Sequence, residues 1–131
     1  MSEISREELK TILLFAVHLA KLDDDFDPWE KKILRRFATE MGLTDEEKQN
    51  LAQAKVSLIK SLRSLKSTDA NHLLIKTLCA VSYVDGAATG DELEFIEKVV
   101  VKLKTQVFIL PREEWGQYED EVFDTLQNVG A

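Results

Sequence analysis

The sequence predicts an all-α protein: a compact bundle of six or seven helices built on two pseudo-twofold-related helix-turn-helix repeats. Three observations lead there. Apolar residues recur at helical spacing through most of the 131 residues. Capping residues and a C-terminal glycine punctuate the stripes. An acidic turn between two apolar helices occurs twice, once from Asp23 to Glu30 and again from Asp85 to Glu92, at an offset of 85 − 23 = 62 residues.

The first helix begins near Arg6, because Ser5 and Glu8 stand at capping-box spacing. Leu9, Ile12, Leu13, Ala16, Leu19 and Ala20 form its apolar stripe. In the turn that follows, Asp27 is placed to cap the second helix, with Pro28 at the first helical position and Glu30 at the third. Ile33, Leu34, Phe37, Ala38 and Met41 are its core face, and Gly42 ends it in the left-handed conformation.

Thr44 with Glu47 is a second capping box, opening a segment that reaches about Leu65. Lys55, Lys60, Arg63 and Lys66 give that segment a basic face. After Ser67-Thr68-Asp69, a helix buries Leu74, Ile75, Leu78, Val81 and Val84. Thr89 and Glu92 cap the next, which buries Phe95, Ile96, Val99, Val100 and Leu103. Pro111 starts a last helix with Trp115, Tyr118, Val122, Leu126 and Val129 on one side. The β-like run Gln106–Leu110 is short and ends at Pro111, so it reads as a helix end and apolar linker.

The 62-residue offset aligns core positions as well as acids. Ile12 pairs with Leu74, Ala16 with Leu78, Leu34 with Ile96, and Phe37 with Val99. A chance likeness would match one helix, not two helices with the turn in register. The chain therefore divides as a single domain, 1–131, with repeat one about 9–41, repeat two about 71–103, and a C-terminal helix about 111–128.

A helix, an Asp at its end, a capping residue followed by Glu, and a second helix, used twice: this pattern resembles the tellurite-resistance TerB-like family. It is also similar to the N-terminal domain of a DnaJ-type membrane co-chaperone. The resemblance covers roughly residues 9–105. It implies a compact, non-enzymatic helical domain associated with stress responses and membrane-linked complexes, with acidic residues that bind divalent metal. By position, Asp23 and Asp85 take the motif Asp, and Glu30 and Glu92 the motif Glu. Asp24 stands where the family has Gly, and Ala88 where it has a larger apolar residue.

Capping alone accounts for Asp27, Glu30, Thr89 and Glu92. It does not account for Asp23 and Asp85, whose carboxylates face the negative end of a helix dipole. Either a local Asx-turn or a cation offsets that repulsion. In the cation reading, Asp23, Glu30, Asp85 and Glu92 form one acidic surface region, and Asp25 and Asp27 add oxygen ligands. Carboxylate oxygens suit Ca²⁺ or Mg²⁺. An EF-hand is excluded, because Pro28 and Leu34 occupy the positions that need Gly and a bidentate Glu.

No Ser-His-Asp set, phosphate loop or Cys-x-x-Cys is present, so no catalytic residue is expected. His18 and His72 lack partners at zinc-ligand spacing, and Cys79 lies within an apolar stripe. The net charge of −7 argues against nucleic acid, since phosphate contacts need Lys and Arg. A lone cysteine and an acidic N-terminus point to the cytoplasm. The run Ile12–Ala20 is too short to span a bilayer. The expected activity is that of a stress-associated adaptor binding a protein partner through its acidic surface. The alternative is a weak divalent-cation module. Peripheral contact with anionic lipid through the basic face is compatible with either.

Overall fold

The computed structural model describes residues 4–22, 29, 31–53, 65, 68–84, 90–103 and 111–129. Among these residues there are six α-helices and no strand. The helices are α1 (Arg6–Lys21), α2 (Lys32–Met41), α3 (Asp45–Gln53), α4 (Thr68–Val84), α5 (Gly90–Leu103) and α6 (Gly116–Val129). A 3₁₀ turn, Arg112–Glu114, leads into α6.

Two of the three predicted capping boxes form, and the third rests on Thr89, outside the described residues. Ser5 Oγ accepts from the Glu8 N–H at 3.1 Å, and the Ser5 N–H donates to Glu8 Oε1 at 3.0 Å. Thr44 and Glu47 repeat the exchange at 3.1 and 3.0 Å. Gly42 ends α2 at φ 70°, where a side chain would be strained. The Leu43 N–H reaches the Ala38 carbonyl and the Gly42 N–H the Thr39 carbonyl, both at 3.0 Å, so the orphan carbonyls of the last turn are satisfied.

Two helix starts differ from the sequence prediction. The cap of α2 is Lys31, not Asp27, and it makes no side-chain capping bond. The Lys31 backbone is extended (φ −74°, ψ 120°), and its carbonyl accepts from the Leu34 and Arg35 N–H groups. A cap is worth about 1 kcal/mol. So small a preference does not fix a helix start, and here α2 begins beside Lys31, which is 6% exposed. Likewise Pro111 opens the 3₁₀ turn rather than the helix: its carbonyl accepts from the Glu114 N–H at 2.8 Å. The helix waits until Gly116, where Tyr83 of α4 comes so close that a Cβ would sit 3.0 Å from its ring.

The core is built around α4. Leu74, Ile75, Leu78 and Val81 are buried as predicted, but so are Leu73, Thr77, Cys79, Ala80 and Ser82. Burial around most of the circumference marks a central helix, with the stripe Asp69, His72, Lys76 and Tyr83 left exposed or half-exposed among its described residues. It packs most extensively on α6 and α1, and also touches α5 and α2. Helix α1 is likewise more enclosed than one stripe, since Phe15 and Val17 join Ile12, Leu13, Ala16 and Leu19 in the interior.

Burial repeats at the 62-residue offset. Ile12 and Leu74, Leu13 and Ile75, Leu19 and Val81, Leu34 and Ile96, and Phe37 and Val99 are all buried. The helix starts do not repeat: α5 begins at Gly90, the counterpart of position 28, whereas α2 begins four residues later at Lys32. Among the described residues, no helix is long and apolar enough to cross a membrane.

Candidate functional site

Of the acidic residues that the sequence offers as cation ligands, the structure describes one. Glu92 is the third residue of α5. Asp23, Asp25, Asp27, Glu30 and Asp85 lie outside the described residues, as do Thr89 and the basic residues Lys55, Lys60, Arg63 and Lys66.

Glu92 is not on the surface. Its side chain is 0% exposed, in contrast to the open acidic region that the sequence suggests. The first turn of a helix suits a carboxylate, because the free N–H groups and the dipole there are positive. Burial is nevertheless costly for a charge unless it is paired. Lys31 is the other charged residue buried at the start of a helix that follows an acidic turn. The two acidic stretches of sequence are thus each followed by a buried ionisable side chain, one basic and one acidic.

One turn beyond Glu92, α5 makes aromatic contacts. Phe95, one turn further along α5, packs on Phe15 of α1 at a centroid distance of 6.2 Å. His18 of α1 lies 5.0 Å from the same ring. Burial of the imidazole, and then the nearby Lys21 charge, lower the His18 pKa from its ordinary value. Trp29 is half-buried and packs against the core.

Elsewhere the described residues divide into a sealed interior and a charged exterior. Cys79 is fully buried, and burial pushes its thiol up to about 12, so it behaves as the small apolar residue predicted. A recess of about 160 Å³ between α4 and α6 is lined by Asp69, His72, Leu73, Lys76 and Thr125. His72 Nε2 is sealed from solvent, so it does not face this recess. Among the described residues, no group of three or more His, Cys, Asp or Glu side chains is placed to hold a metal ion.

From residue 113 to the C-terminus there is no Lys or Arg, and Glu113, Glu114, Asp120, Glu121 and Asp124 are exposed. Lys76 meets Glu121 at 3.3 Å across the α4–α6 boundary. The signal was the run of acids without an intervening base. No protein-family model, curated protein or solved structure matches the chain.

Proposed function

We propose that the chain is a non-enzymatic, TerB-like helical domain that acts as a stress-associated adaptor, docking a protein partner through its acidic surface. The observation that carries this reading is the exposed face of α6 and its entry turn. Glu113, Glu114, Asp120 and Asp124 stand there with no ion-pair partner among the described residues. Acids outnumber cations there, although Arg36 lies over the Phe123 ring and Lys76 pairs with Glu121; a net negative face attracts a basic surface, and the attraction weakens as salt shortens the Debye length. The test is affinity capture from the source cells with wild type and with Asp120→Lys/Asp124→Lys. Partners held by the wild type at low salt and lost both at high salt and with the variant support the reading. An identical set of partners under all conditions overturns it.

Within the same proposal, helix pairs 9–41 and 71–103 are two copies related by a pseudo-twofold axis. The recurrence of burial at the 62-residue offset supports this. Superposition of the two segments in an experimental structure is the check.

A second reading is favoured by Glu92. It places buried carboxylate oxygens directly after the Asp85–Thr89 turn, where a Ca²⁺ or Mg²⁺ ion would draw on Asp23, Glu30, Asp85 and Glu92. Such a site is weak, on the order of 10⁻⁴ to 10⁻³ M, because each turn supplies few oxygens. Amide NMR with millimolar Ca²⁺ or Mg²⁺ tests it. Shifts confined to the two turns, and lost in Asp85→Asn, support the cation module.

A further inference from the structure

Helix α3 is attached differently from every other helix. None of its side chains is buried. Its hold on α1 is polar at both ends. At its start, Glu47 Oε2 meets Lys10 Nζ at 2.8 Å and Glu47 Oε1 meets Arg6 at 3.6 Å. At its end, Lys21 Nζ donates to the Ala52 carbonyl. That carbonyl belongs to the negative end of the α3 dipole, which favours a cation. Lys10 and Lys21 are on one face of α1, and the helical spacing 10, 14, 17, 21 puts Leu14 and Val17 on the stripe between them. Val17 is 1% exposed and Leu14 half-buried. On the other side, Leu43 and Leu51 pack half-buried against the core. The seat is therefore an apolar strip with a cation at each end. Its present occupant is a nine-residue helix with three acids, Asp45, Glu46 and Glu47, in its first turn.

Exposed ion pairs contribute little each, about 0–1 kcal/mol, and salt screens them. A helix of this length is not stable by itself in water. Helix α3 is therefore expected to open before the core does. We propose that its seat on α1 is an exchangeable docking groove, held in cis by α3 and taken in trans by an acidic amphipathic helix of a partner protein. Such a helix needs a carboxylate in its first turn, an apolar residue one turn on, and free terminal carbonyls for Lys21. Lipid is a poor fit, because the groove matches the length and polarity of a helix rather than a planar anionic sheet. The inference goes beyond the acidic-surface reading, since the groove is basic.

Two measurements test it. The first uses the unmodified chain: native-state amide exchange at about 0.05 and 0.5 M NaCl. Amides of Lys48 to Gln53 are expected to exchange on the order of 100-fold faster than those of Leu74 to Val81, and salt is expected to speed only the former by roughly tenfold. Exchange of α3 in step with α4, at both salts, overturns the proposal. The second is anisotropy with a labelled peptide of residues 43–53 as the probe. Glu47→Gln, which weakens the cis contact, is expected to bind the peptide roughly tenfold more tightly than wild type, and 0.5 M NaCl to abolish the difference. Equal binding by the two chains, or binding that salt does not touch, overturns it.

Discussion

Lys10 Nζ lies 2.8 Å from Glu47 Oε2, across the boundary between α1 and α3. The hydrogen bond from Lys10, followed by that from the Thr44 N–H, pulls the Glu47 carboxyl down to about 2. The folded value is below the ordinary 4.5, so the contact adds stability above about pH 4.5 and loses it as pH falls towards 2. A carbon-13 titration of the Glu47 carboxyl should show this low midpoint. Lys10→Gln should return it towards the ordinary range. A wild-type midpoint near 4.5 would show that the pair does not persist in solution.

Cys79 is fully buried, with its thiol pushed up to about 12. Thiolate is the reactive form, so a thiol reagent at neutral pH should leave the native chain untouched. Labelling should track global unfolding in urea. Cys79→Ser should cost about 1–3 kcal/mol, because a hydroxyl replaces an apolar group in a packed interior.

Gly42→Ala should destabilise by about 1 kcal/mol, measured by chemical denaturation. Nothing lies within 4 Å of an added Cβ there, so the cost is backbone strain at φ 70°, not a clash. Gly42→Asn should recover part of the loss, because Asn tolerates that region. Equal stability of the Ala and Gly chains would mean that the Schellman end of α2 relaxes without cost.

Neighbouring acids at the start of α5 should behave oppositely. Glu92 is buried and Asp91 exposed. Glu92→Ala should cost about 1–3 kcal/mol in urea unfolding, since truncating a fully buried side chain breaks its contacts and leaves a cavity. Asp91→Ala should stay within about 0.5 kcal/mol. Similar values for both would show that burial of Glu92 carries no energetic weight.

Local rules were the legible part of the fold. Ser5 with Glu8, Thr44 with Glu47, and Gly42 marked helix ends correctly, because a cap involves residues three or four apart. Asp27 and Pro111 misled for the same reason: a cap preference is small, and α2 starts only at Lys32 and α6 only at Gly116. Phe15, Val17 and Phe123 lie off the stripes that periodicity selects. They are buried because α1 and α6 have neighbours on more than one side, which only the assembled bundle reveals. At the candidate site, the sequence located Glu92 at the start of α5 but could not register its burial. The seat of α3 was invisible in the sequence, since Lys10 and Glu47 meet only after the chain has turned through α2.

Helix α4 is buried around most of its circumference, and this ties the two halves of the chain together. A protein with an exposed central helix could be trimmed from either end and keep a working remnant. Here, cutting the chain between α3 and α4 strands Leu74, Ile75 and Leu78 in one fragment, and their cover from Ile12, Leu13 and Ala16 in the other. Neither piece can shield its apolar surface alone. The two should find one another and reassemble when mixed, so the same helix that forbids division also supplies the adhesive for complementation.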